Sequence, residues 1–422
     1  MVRTLVFIEG SNFGTDVSRI TATIGGRPAP VIGSSGTKIC IMTPKRGNEG
    51  TVAVSIENGS GVVTEYAFTD RMTVHTTLQV GTLTGKVDAS KPVGSNSSVL
   101  DGPFDEAEFQ YPYWLEFNVD AENNKAVYVV DVENLVAFRK IDLGAEYVST
   151  LFTKGQAGFH QVKSSFFDAS RDTIFFVDDN GKTGDNNRFA MPNLFYAVRS
   201  DNFRKVNPYH YSVCSYSGCY MNDGSIFYST WTNSQVYKAK TSWNTEYNTW
   251  DATPLFHVKA NESAHCYLAQ HPDDLYVYLT GNFHCIYKSM YNKETKELQT
   301  PILFAGNGSA DWVDAPGTTA RFNTPRQGVF VYNAEYEGRA DGDHYDFYVA
   351  DLNNHAIRKV TPDGVVSTYA GRGSSGVSGW IDGEARETAR FWSPTGLAYD
   401  PEDEIFYVAD RDNKRIRTIS VE

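Results

Sequence analysis

Tyr113, Lys163, Ser164, Tyr216, His265, Arg326 and Thr395 stand at matching places in six successive stretches of the chain, each about fifty to seventy residues long. Brought together, they offer aromatic faces, two cations, hydroxyl groups and one imidazole, with no carboxylate among them. Such a ring can stack on a ligand and hydrogen-bond it. It lacks the oxygen ligands that a hard cation requires, so the sequence predicts no metal and no cofactor there. His265 is the only candidate general base, and a lone histidine beside a channel reads as hydrogen-bonded structure, so no catalytic residue is assigned. Trp231 and Trp392 add flat rings in predicted loops. A flat ring can cover the C–H face of a pyranose while neighbouring polar groups bond its hydroxyls. The candidate ligand-binding residues are therefore Tyr113, Lys163, Tyr216, Trp231, His265, Arg326 and Trp392. The chain has no G-x-S-x-G, no H-E-x-x-H, no phosphate-binding Walker loop and no G-x-G-x-x-G ahead of a helix.

The elements that must position these residues are repeated. "FYVADLNNHAIRKV" (Phe347 to Val360) returns as "FYVADRDNKRIRTI" (Phe406 to Ile419), and "AVYVVDVENLVAFRKI" is an earlier version. Aligned, they place acids at Asp131, Asp351 and Asp410, amides at Asn134, Asn354 and Asn413, and bases at Arg139, Arg358 and Arg417. Three weaker copies put Asp179, Trp231 and Thr280 where the acid stands. Each unit reads as short strands, aromatic and β-branched, bounded by Asp, Asn and Gly turns. No unit can bury both faces alone, so copies must stack. Six units of four strands describe a six-bladed β-propeller, with ligands expected at the mouth of its central channel. The last unit, ending "RIRTISVE", is one strand short. The matching piece is "LQVGTLTG" (Leu78 to Gly85), predicted to pair with the last blade and close the ring.

The motif "VADLNNHAIRKV" resembles the NHL repeat, a blade type of six-bladed propellers, over roughly residues 76–422. Residues 1–70 read differently, alternating strands with Gly-rich turns. Through Gly10, Asn12, Phe13 and Gly14, then Gly25, Gly26, Ala29, Pro44 and Gly50, they resemble an IPT/TIG domain, an immunoglobulin-like sandwich. That family begins with one more strand, so the domain reads as shortened, its first strand and any leader lying ahead of Met1. The expected architecture is all-β: a sandwich over 1–70 and a propeller over 76–422.

Composition narrows the function. The chain has 422 residues and a formal net charge of −13, which argues against nucleic acid and against anionic lipid. It holds no run of eighteen apolar residues. Its five cysteines, Cys40, Cys214, Cys219, Cys266 and Cys285, show no metal-type spacing and read as core thiols. The pairing of the two domain types is similar to that of bacterial cell-surface proteins, including those encoded near polysaccharide-uptake systems of gut Bacteroidetes. The resemblance implies an exported protein of the cell surface or periplasm, held by a lipid anchor ahead of Met1. It would bind a glycan or protein ligand and have no enzymatic activity. The alternative is a hydrolase or lyase working at the channel mouth.

Overall fold

The computed structural model describes residues 5–43, 50–72, 77–86, 99–131, 137–182, 189–231, 233–259, 264–371 and 377–422. They fall into two units, Met1–Gln79 with Ser420–Glu422, and Val80–Ile419.

The first unit is a sandwich. One sheet orders Leu5–Glu9, Lys38–Met42 and Val31–Ser34; the other orders Arg27–Ala29, Ile20–Ile24, Gly50–Glu57 and Val63–Met72. Strand alternation sorts the faces. Ile20, Ala22 and Ile24 point inward while Thr21 is exposed, and Ile8, Ile39 and Ile41 meet them from the facing sheet. The glycine pattern has a steric cause at one place in particular: a Cβ on Gly50 would sit 2.3 Å from the Gly25 Cα. Asn12, at φ 62°, turns the chain so that Phe13 enters the core. Pro44 lies outside the described residues.

Among its described residues the second unit holds six blade sheets and one two-stranded hairpin, Trp243–Asn244 with Thr249–Trp250. The inner strands of the blades are Pro112–Val119, Val162–Phe167, Ser215–Tyr220, Cys266–Gln270, Pro325–Tyr332 and Pro394–Asp400. Each inner strand touches the next, and the sixth touches the first, so the sheets close into a six-bladed propeller. Aromatic rings fill the space between blades: Phe138 meets Phe176 at 4.8 Å and Phe159 meets Phe195 at 4.7 Å, both edge to face. In the sixth blade, Leu78–Thr84 lies between Arg415–Val421 and the short strand Gly383–Glu384. The strand ahead of the first blade thus becomes the outer strand of the last, as the sequence predicts.

The repeated Asp, Asn and Arg form one buried knot per strong blade. In the fifth, the Asp351 carboxylate accepts from Arg358 Nη1 at 2.9 Å and from Asn354 Nδ2 at 2.7 Å, and its other oxygen accepts the Asn323 N–H at 2.7 Å. The sixth repeats this with Asp410, Arg417, Asn413 and the Trp392 N–H. In the first, Asp131 takes the Gln110 and Tyr111 N–H groups while Arg139 stands 3.8 Å away; Asn134 is outside the described residues. Each guanidinium lies on a ring, Phe109, Phe322 or Phe391.

Strand pairing corrects two of the weak copies. Pro112 pairs with Asp131, Pro325 with Asp351 and Pro394 with Asp410, but Val162 pairs with Asp178 and Ser215 with Thr230. The acid's place therefore belongs to Asp178, not Asp179, and to Thr230, not Trp231. Asp178 accepts the His160 and Gln161 N–H groups as the other blade acids do. Asp179 and Trp231 lie one residue beyond, toward the channel mouth.

Candidate functional site at the channel mouth

The candidate residues reach the mouth through a repeated irregularity of the backbone. The pairing of inner strand to second strand shifts register between Pro112 and Trp114, between Val162 and Ser164, and between Ser215 and Ser217. It does so again between Pro325 and Gly328 and between Pro394 and Gly396. The residues inside these shifts are Tyr113, Lys163, Tyr216, Arg326 with Gln327, and Thr395. A bulge leaves its extra residue out of the ladder and re-aims the side chain. The same device, repeated in five blades, delivers these side chains to one end of the channel.

Six of the seven candidates meet there. The Tyr216 ring lies 5.0 Å from Trp231, 4.8 Å from His265 and 5.8 Å from Tyr267. Trp231 and His265 stack at 5.2 Å and 14°. Lys163 Nζ sits 5.2 Å over the Tyr216 ring, and the Arg326 guanidinium 5.0 Å from that of Tyr267. The Tyr113 and Tyr267 hydroxyls are 2.5 Å apart, and Arg326 Nη1 donates to both. Ser164 and Thr395 turn to structure instead, donating to the carbonyls of Tyr216 and Pro112 in neighbouring blades. Trp392 stands apart: its N–H is tied to Asp410, and no described contact joins it to the cluster.

Tyr267, which the sequence reading missed, is the hub. It is 1% exposed and touches Tyr113, Trp114, Tyr216, His265 and Arg326. Its signal was the strand period, since His265 and Tyr267 are two apart and share a face. Gln327 was missed as well. Its Oε1 accepts the Leu115 and Leu397 N–H groups and its Nε2 donates to the Leu115 carbonyl, lacing three inner strands together.

Burial first, then the charges of Arg326 and Lys163, pushes the His265 imidazole down to about 3. It is therefore neutral at ordinary pH and a poor proton acceptor. Burial also lowers the Lys163 ammonium. Among the described residues no group of three His, Cys, Asp or Glu side chains is placed to hold a metal.

The channel's other end opens into a cavity of about 580 Å³, lined by Leu115, Phe117, Val329, Val331 and Ala398 with Glu116 and Arg171. Those walls are mostly apolar. Glu116 lines this cavity; burial raises its carboxyl to about 7 against the pull of Arg171 and the Trp114 N–H bond at 3.1 Å. A carboxyl raised above its ordinary 4.5 makes the folded state bind the extra proton. The stability it contributes is full below that value and fades as pH rises through 7. Glu116→Gln is expected to raise the melting temperature at pH 8 and leave it unchanged at pH 4.5, as thermal unfolding at both would show.

Residues 2–70 match the family model of the IPT/TIG domain, and residues 391–419 that of the NHL repeat. A solved auxiliary nutrient binding protein from Bacteroides thetaiotaomicron is 32% identical over 100% of this chain and 94% of its own, with a TM-score of 0.71. A second, from Bacteroides ovatus, is 30% identical over 100% of this chain and 95% of its own, with a TM-score of 0.75. The chain belongs to the family of these two proteins. A Bacteroides thetaiotaomicron protein whose name proposes a phosphatase is similar too, 28% identical over 100% of this chain and 94% of its own, with a TM-score of 0.71. No curated protein matches the chain. Within the family's fold, the mouth cluster is the place where aromatic faces, cations and unspent hydrogen-bonding groups coincide. No described helix is long and apolar enough to cross a membrane.

Proposed function

We propose that the protein is a non-enzymatic binding protein of the cell surface or periplasm, and that its propeller mouth holds a glycan. The observation that carries this reading is the Trp231–His265–Tyr216 platform. Trp231 stacks on His265, Tyr216 lies tilted against both, and the Trp231 indole N–H, the His265 ring nitrogens and the Tyr216 hydroxyl have no hydrogen-bond partner among the described residues. Rings beside unspent donors and acceptors suit a pyranose, whose faces are apolar and whose rim is polar. The two nutrient-binding relatives support a binding role and an extracytoplasmic setting. The low basicity of His265 and its lack of an acid partner favour binding over turnover.

A glycan-array screen of the whole chain with Trp231→Ala and Trp243→Ala alongside tests it. Trp243 pairs with Trp250 on an exposed hairpin of the third blade and serves as the control aromatic. Loss of the platform's ring is expected to weaken binding about tenfold, an aromatic contact adding roughly 0.5–1.5 kcal/mol beyond its buried area. Loss with Trp243→Ala instead would move the site to that hairpin. The relative with a phosphatase name motivates the enzymatic reading, as a hydrolase or lyase. Hydrolysis of a chromogenic phosphate monoester, abolished by His265→Ala, would establish it in place of the binder.

A further inference from the structure

Charge at the mouth says what kind of glycan fits. The chain carries a formal net charge of −13, and most of its buried cations outside the mouth are matched by carboxylates, Arg415 excepted. Arg358 meets Asp351 at 2.9 Å and Asp314 at 2.7 Å. Arg417 meets Asp410 and Asp382. Lys140 meets Asp120 at 2.6 Å and Asp142 at 2.9 Å, and Lys125 meets three carboxylates within 3.0 Å.

The mouth departs from that habit. Arg326 has no carboxylate within ion-pairing distance among the described residues; its hydrogen bonds go to the Tyr113 and Tyr267 hydroxyls, and its Nε is buried without a partner. The nearest carboxylate to Lys163 is Asp179, at 3.9 Å. The rings these two cations cover, Tyr216 and Tyr267, are 5.8 Å apart. Two desolvated cations of one sign, facing the same small space, repel each other and leave a positive field there. Holding the Arg326 charge with no carboxylate, and Lys163 with only one distant one, is costly, and an arriving anion offsets that cost.

We propose that the mouth takes an anionic sugar, a pyranose bearing a carboxylate or a sulfate, its ring on the Trp231–His265 face and its charge between Lys163 and Arg326. This rests on the mouth being the glycan site. Arg326 supplies the N–H groups of Nη2, Nη1 being held by the two tyrosines, and Lys163 supplies a point charge. The Tyr113 and Tyr267 hydroxyls hold the guanidinium in place before the ligand arrives.

Calorimetric titration of the full chain with trigalacturonate, a sulfated galactose trisaccharide, neutral galactotriose and inorganic sulfate alone is the test. One acidic trisaccharide is expected to bind at least tenfold more tightly than the neutral one and to weaken as salt rises from 50 to about 500 mM. Preference for trigalacturonate identifies a uronate site, and preference for the sulfated sugar a sulfate site. Arg326→Gln and Lys163→Met, each separately, are expected to abolish the preference; Lys163 makes no hydrogen bond that the fold depends on, so its variant answers even if Arg326→Gln misfolds. Equal binding of acidic and neutral sugars would overturn the anionic site and leave the glycan reading standing. Binding of inorganic sulfate with no sugar bound would overturn the sugar specificity, and binding of none of the four would overturn both readings.

Discussion

Asp351→Ala is expected to destabilise the propeller by about 3–5 kcal/mol, because it strands the Arg358 guanidinium inside the fifth blade. Both partners are 0% exposed. Asp314 alone would remain to face the cation, from a position one-third exposed, and the Asn323 and Asn354 N–H donors would lose their acceptor. Arg358→Met in the same background should recover much of the loss, since replacing a whole buried pair costs less than breaking it. Denaturant unfolding of the two single variants and the double gives the coupling directly. Asp179→Ala is the matched control. It removes a carboxylate one residue past the blade acid of the second blade, 3.9 Å from Lys163, and is expected to cost about 1 kcal/mol, well short of the Asp351→Ala loss. A large loss there would restore the alignment that placed the acid at Asp179.

Deleting residues 1–85 is expected to lower the stability of the propeller by about 3–6 kcal/mol, while deleting 1–70 leaves it folded at its full melting temperature. The difference lies in one strand. Val80 and Thr84 are each 2% exposed, and Leu83 packs on the core shared by the first and last blades. Thr82 donates its N–H and its hydroxyl to the Asp382 carboxylate, both at 3.1 Å. Without this strand, Arg415–Val421 becomes an open edge, so the shorter chain should also associate at high concentration. Equal melting temperatures for the two truncations, measured by calorimetry, would rule out the closure as a source of stability.

The blade architecture was legible because turn chemistry repeats. An Asp, an Asn and an Arg at fixed spacing leave a mark that survives in three copies, and the strand one short of six fours was visible as a deficit at the C-terminus and a surplus near Leu78. The mouth was legible for a related reason: inner-strand entries can be aligned, and Tyr113, Lys163, Tyr216, His265 and Arg326 converge. What escaped was anything decided by a single-residue slip. Strand pairing sets the second blade's acid at Asp178 rather than Asp179, and nothing in the order of two adjacent aspartates announces it. Trp231 reaches the cluster by the same slip, one place beyond the acid's position. Trp392 was drawn in by its aromatic character, yet its position is that of Tyr111, Gln161 and Asn323, whose backbone N–H groups hold the blade acid. Tyr267 was hidden in plain alternation with His265, on a strand whose copy of the repeat is faint.

Gln327 carries a consequence for the ring as a whole. From its seat on the fifth inner strand, its one amide satisfies backbone partners on the first and the sixth, and its side chain is almost wholly buried. The join between the first and last blades is thus riveted from a third. Closure is shared between the outer strand Leu78–Thr84 and this inner amide, so the ring is fastened at its rim and at its hub.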